Sequence, residues 1–145
     1  MKKLVIVQCG GKKIWINNPY LGAVEARDAY TSPYFKKNRA YAERFSDRWV
    51  ILSAKYGFLD PDDKITDYNV SFKQKKSQPI SISDLRNQVF TKALNTFNEV
   101  VVLGGQEYLE AVEEAFKGIN CKVLSPFEGL KIGERLSALN KVLIS

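Results

Sequence analysis

Four short apolar runs limit what this chain can fold into: Leu4 to Val7, Trp49 to Leu52, Val100 to Leu103 and Cys121 to Leu124. A run of strand-forming residues that is apolar at every position, rather than at every second one, has both of its faces covered. Such strands belong to a parallel sheet sandwiched between helices. The segments between the runs carry the helical spacing that this arrangement needs. Ser32 with Pro33 opens one helix, with Phe35, Ala40, Tyr41 and Phe45 as its apolar face. Ser83 or Ser81 opens a second, with Leu85, Val89, Phe90, Ala93, Leu94 and Phe97. Gly105 leads into a third, closed by Gly118, and a fourth runs from about Leu130 to Val142. Alternating strands and helices predict an α/β fold: a single three-layer α/β/α domain over residues 1–145, with a mostly parallel central sheet of about four strands.

Two stretches escape this pattern, Ile14 to Thr31 and Ala54 to Pro79. Irregular segments of that length in a compact domain commonly serve function. The second follows an apolar run and is rich in Gly, Pro and carboxylates: Ser53-Ala54-Lys55-Tyr56-Gly57-Phe58-Leu59-Asp60-Pro61-Asp62-Asp63, then Asp67-Tyr68. Ligands of open α/β sheets bind beyond the carboxyl ends of the strands, where this segment begins.

Composition narrows the chemistry. The chain has no histidine, so Ser-His-Asp and Cys-His catalysis and mixed Cys/His metal sites are excluded. The two cysteines, Cys9 and Cys121, make no metal-ligand spacing, and Asp60 to Ser71 lacks the Gly and Glu of a calcium loop. No metal or cofactor is expected. A net charge of +6 favours an anionic partner, nucleic acid or nucleotide, and equally serves solubility. No run approaches transmembrane length, and the short amino-terminal apolar run does not make a signal peptide, so a cytoplasmic protein without membrane contact is expected.

Gly10-Gly11-Lys12-Lys13 and Gly104-Gly105 with Tyr108 stand at the expected ends of two strands and would share one sheet edge. Paired glycines let a backbone approach an anion, or simply allow tight packing of helix on strand. Neither pair has phosphate-loop or dinucleotide spacing. Cys9 beside lysines is either an activated thiolate or a small buried apolar residue. Phe72 with Lys73, Lys75 and Lys76 could stack a base and meet phosphate, or be a solvated loop. Pro126 to Gly133 places glycines before the last helix, another helix start suited to an anion.

The succession Cys9 to Lys13, Ala26 to Phe35 with Arg39 to Ala42, and Trp49 to Pro61 with Tyr68 resembles a widespread family of small domains related to the YaaA peroxide-stress proteins. Leu52 to Gly57 with Pro61, Asp63 and Tyr68 carries the likeness most clearly. Asp67 stands where the family pattern has proline, and the chain is shorter. The resemblance implies DNA binding, oxidative-stress protection and a distant likeness to the uracil-DNA-glycosylase type of α/β sheet. Together these signals lead to an expected enzyme of the nucleobase or N-glycosidic bond, or else a non-catalytic nucleic-acid or nucleotide binder. Gly10, Gly11, Lys13 and Gly105 would hold phosphate or an exocyclic oxygen, and Tyr30, Tyr56 or Tyr68 would meet the base. Asp63 or Asp28 would stabilise developing positive charge or activate water. Cys9, Ser32, Arg39, Ser53, Lys55, Gly57, Gly104 and Tyr108 complete the expected binding set.

Overall fold

The computed structural model describes residues 2–144; Met1 and Ser145, the ends of the expected domain, lie outside the described residues. Along the chain come β1 (Lys3–Gln8), β2 (Val24–Glu25), α1 (Ala26–Ala29), α2 (Pro33–Phe45), β3 (Arg48–Ser53), β4 (Gly57–Leu59), β5 (Lys64–Ile65), α3 (Ile82–Thr91), β6 (Glu99–Leu103), α4 (Gln106–Ala115), β7 (Lys122–Leu124) and α5 (Ile132–Ile144). The central sheet has the order β4-β3-β1-β6-β7. β1, β3, β6 and β7 are parallel, and β4 is antiparallel to β3.

Period-two geometry explains why the strands are apolar throughout. Leu4, Ile6, Val50, Leu52, Val100 and Val102 face one layer, with Leu85 and Val89 of α3 and Leu109 and Val112 of α4. Val5, Val7, Ile51, Val101 and Leu103 face the other, with Phe35 and Ala42 of α2. Helix α5 packs on α2 in that second layer. The expected α/β/α sandwich is therefore present. Each fully buried aliphatic or aromatic side chain contributes roughly 1.5–3 kcal/mol, so the two faces together hold the sheet.

The sheet has a fifth strand that the apolar runs did not reveal. β4 is three residues long and begins at Gly57, whose φ of 79° turns the chain straight back onto β3. A Cβ at Gly57 would come within 2.2 Å of Gln88 Oε1, which accepts from the Phe58 amide at 2.7 Å. Glycine is required there on both counts. The two long irregular stretches are stitched together by the β2–β5 ladder and by bonds from the Ala26 amide to the Asp63 carbonyl and the Arg27 amide to the Pro61 carbonyl.

Two helical faces also differ from expectation. The stripe of α2 that is fully buried is Phe35, Asn38 and Ala42; Ala40, Tyr41 and Phe45 lie to its flank, half-buried. Helix α3 stops at Thr91 because Ala93 turns left-handed at φ 57°. Leu94 and Phe97 reach the core through a short 3-10 turn, while Phe90, about a quarter-turn round from Val89, is 59% exposed. Ser81 caps α3 through the Asp84 amide and Ser32 caps α2 through the Phe35 amide, as the side-chain chemistry dictates. Among the described residues no helix is long and apolar enough to cross a membrane.

Candidate functional site

From β1 the chain winds to β3 on one side, then returns to β6 on the other. Helices after β1 and β6 diverge to opposite layers, which opens a crevice at the carboxyl ends of these two neighbours. A cleft of about 490 Å³ occupies that place. Its base is Gln8 at the end of β1, Cys9, Gly10 and Gly11 after it, and Gly105 to Tyr108 at the start of α4. Tyr34 of α2 and Leu130 to Ile132 with Arg135 of α5 form one wall, and Tyr68 to Lys73 form the other.

The base is tied together across the sheet. The Gly105 amide donates to Gln8 Oε1 at 2.7 Å, and the Cys9 amide to the Leu52 carbonyl at 3.1 Å. The Cys9 thiol meets the Tyr108 hydroxyl at 3.4 Å. Beneath the opposite wall, Ser53 Oγ donates to the Tyr68 hydroxyl at 3.0 Å, and the Tyr30 and Tyr68 hydroxyls are 2.6 Å apart. Ser53 Oγ in turn accepts from the amides of Lys55 and Tyr56, each at 3.2 Å. Burial pushes the phenols of Tyr30, Tyr68 and Tyr108 far above their ordinary value, with further push from nearby Cys9. All three are neutral hydrogen-bonding groups at any physiological pH.

The rim is cationic. Lys13, Lys73, Lys131 and Arg135 line the cleft against a single carboxylate, Glu107, which Lys73 meets at 3.3 Å. Lys13 Nζ lies 4.4 Å over the ring of Tyr68, and no carboxylate among the described residues pairs with it. Arg135 donates to the Gly104 carbonyl at 2.6 Å and to the Tyr34 hydroxyl at 3.2 Å, joining α5, α2 and the glycine turn. Aromatic faces are close by: Phe72 packs edge-on to Tyr108 and Tyr56 edge-on to Tyr68. The arrangement offers backbone amides and cations for an anion beside flat apolar surfaces.

Of the residues expected from sequence, the structure brings Cys9, Gly10, Gly11, Lys13, Tyr68, Gly105 and Tyr108 into the cleft lining. Tyr30 and Ser53 lie under it, bonded to Tyr68. Gly104 is buried behind the turn, where a Cβ would fall 2.9 Å from the Cβ of Gln8. Ser32 caps α2, with its Oγ 3.4 Å from where a Gly10 Cβ would stand. Gly57 and Tyr56 belong to the β3–β4 turn, the Tyr56 hydroxyl bonding Thr66, and Lys55 is exposed over the Tyr56 ring.

Three expected residues are engaged elsewhere. Asp63 Oδ2 accepts from the Asp60 amide at 2.8 Å and from Lys92 Nζ at 3.3 Å, closing the Asp60–Asp63 turn. Arg48 pairs with Asp60 at 2.9 Å, so this aspartate group ties β3, α3 and the loop together. Asp28 meets Arg39 at 3.5 Å on the surface, and Arg39 also donates to the Arg27 carbonyl at 2.9 Å. None of the three is among the residues lining the cleft.

Gln8, Tyr34, Asn69, Glu107 and Arg135 line the cleft without having been singled out. Gln8 and Glu107 adjoin the two glycine pairs, and Arg135 follows the glycine segment before α5, so proximity to glycine was the available signal. Tyr34 and Arg135 needed the packing of α5 on α2.

The sequence pattern described as a family of unknown function, DUF6884, matches residues 4–141. The chain is also 41% identical over 145 residues to an uncharacterized protein, YfjM, of Bacillus subtilis strain 168, an alignment that covers 99% of this chain and 96% of that one.

Proposed function

The chain belongs to the DUF6884 family, and we propose that its cleft between β1 and β6 binds a nucleotide, free or within a nucleic acid, for chemistry at the base or its N-glycosidic bond. The observation that carries this reading is the pairing of two chemistries in one crevice. Gly10, Gly11 and the first amides of α4 form the base, with Lys13, which no carboxylate among the described residues pairs, and rings border them on three sides: Tyr108 in the base, Tyr34 in one wall and Phe72 in the other. A phosphate suits the first group and a planar base the second. The likeness of Leu52 to Gly57 with Pro61, Asp63 and Tyr68 to the YaaA pattern supports a substrate related to nucleic acid.

Calorimetric titration with nucleoside monophosphates and a short single-stranded oligonucleotide at low salt tests it. Lys13→Met removes a charge-assisted contact and weakens binding roughly ten- to a hundredfold. Absence of binding by every nucleotide and by the oligonucleotide overturns the reading. For the chemical step, base release is measured with Glu107→Gln, the carboxylate in the cleft, against Asp63→Asn and Asp28→Asn. Loss confined to the aspartate variants returns the catalytic role to them; loss confined to Glu107→Gln assigns it to the cleft carboxylate.

A second reading is favoured by Lys73, Lys75 and Lys76, all exposed on the loop that forms one wall of the cleft. It is a non-catalytic DNA binder linked to stress or DNA protection, whose affinity falls steeply with salt as phosphate contacts are screened.

A further inference from the structure

Three hydroxyls lie in one buried group under the cleft wall, and their three hydrogens outnumber the two contacts that join them. Ser53 Oγ accepts from two backbone amides, which fills both its lone pairs, so its own hydrogen goes to the Tyr68 oxygen. Tyr30 and Tyr68 then share one contact of 2.6 Å and hold two hydrogens between them. One hydrogen is left over, and the described residues give it no acceptor. If Tyr68 donated to Tyr30, the surplus would fall on Tyr30, which is 2% exposed and outside the cleft lining. A stranded buried donor is costly, and no ligand could relieve it there. If Tyr30 donates to Tyr68, the surplus belongs to Tyr68, which lines the cleft.

We propose that the Tyr68 hydroxyl, oriented by Ser53 and Tyr30, donates to a keto oxygen of the bound base and selects oxo-bearing over amino-bearing nucleotides. The inference rests on the nucleotide reading given above. A keto oxygen suits this donor better than a phosphate does. The hydroxyl's own hydrogen-bond partners, Ser53 and Tyr30, are neutral, and Lys13 lies over the face of the Tyr68 ring, whereas the amides that favour an anion stand at the glycine turns. An amino group in the same position would bring two donors together and leave both hydrogens unpaired. Ser53 and Tyr30 are positioning residues; Tyr68 determines specificity.

Inosine monophosphate and adenosine monophosphate share ribose and phosphate and differ by keto against amino at one ring carbon and by the hydrogen on the adjoining ring nitrogen. Wild type binds the first about tenfold more tightly. Tyr68→Phe brings the ratio to within about twofold, while Tyr30→Phe, which removes one of the two donors that orient the Tyr68 hydroxyl, narrows the preference without abolishing it. Uridine against cytidine monophosphate repeats the contrast on wild type, so the proposal stays falsifiable even if the tyrosine variants fold poorly. A parallel arm places one inosine or adenosine in a single-stranded oligonucleotide. Preference in the free nucleotides identifies a small-molecule substrate, and preference in the oligonucleotide alone identifies a nucleic acid. Equal affinity of keto and amino forms for wild type in both arms, or a preference that survives Tyr68→Phe, overturns the proposal while leaving the nucleotide reading intact. Absence of binding by any nucleotide overturns both.

Discussion

Gln8 and Gly105 are joined across the gap between β1 and β6 by a 2.7 Å bond from the Gly105 amide to the Gln8 side-chain oxygen. The first strand therefore reaches over to hold the residue that opens α4. The same side chain explains Gly104, since any Cβ there would press on the Cβ of Gln8. One polar residue thus fixes the spacing of the two turns that floor the cleft.

Replacing Gln8 by Leu keeps the volume and removes the acceptor, leaving the Gly105 amide unpaired. The expected cost is about 1–3 kcal/mol, read as a lower urea midpoint with an unchanged slope. Nucleotide affinity falls with it, because the turn that opens α4 loses the bond that holds it to the end of β1. A variant of full stability would show that the bond does not position the turns.

The buried tyrosines predict a one-sided pH dependence. Tyr30, Tyr68 and Tyr108 all have folded values raised above the ordinary phenol value of about 10. A raised value means that the folded state keeps protons which the unfolded chain releases at high pH, so stability from these groups is full below about pH 10 and lost above it. Each contributes a limiting slope of about 1.4 kcal/mol per pH unit. Urea midpoints from pH 8 to 11.5 test this, and Tyr108→Phe lowers the alkaline slope contributed by the three by about one third. A stability profile flat to pH 11.5 would mean that the phenols ionise equally in both states.

How much of this was legible beforehand follows from range. The four parallel strands, the cap at Ser32 and the choice of Ser81 or Ser83 as the second cap depend on neighbours in sequence, so alternation and side-chain chemistry disclose them. β4 was hidden because three residues are too few for a pattern, and its strand character comes from pairing with β3. The two glycine pairs marked the cleft because a parallel sheet puts the ends of its strands on one edge. Asp63 drew attention through its carboxylate-rich setting, yet the structure ties it to Lys92, 29 residues away, a partner that no local pattern names. Tyr34 and Arg135 meet across 101 residues by the packing of α5 on α2. The Ser53–Tyr68–Tyr30 group likewise gathers a strand end and two loops whose relation only the fold creates.

Asn38 is the least compensated residue in the interior. It is 1% exposed on the sheet-facing stripe of α2, between Phe35 and Ala42, and neither its amide nitrogen nor its oxygen has a partner among the described residues. Taking a carboxamide from water without replacing its hydrogen bonds costs about 1–3 kcal/mol. Leucine has the same branching and heavy-atom count at the side-chain end, packs like its apolar neighbours and is the better helix former. Asn38→Leu is therefore expected to stabilise the protein by about 1–3 kcal/mol, seen as a raised urea midpoint with an unchanged slope. The residue is remote in sequence from the glycine turns and is not among the cleft-lining residues, so nucleotide affinity is expected to be unchanged. A stabilised variant with weakened binding would connect Asn38 to the cleft through Tyr34, one turn before it on the same helix, and a destabilised variant would show that the carboxamide is satisfied in solution.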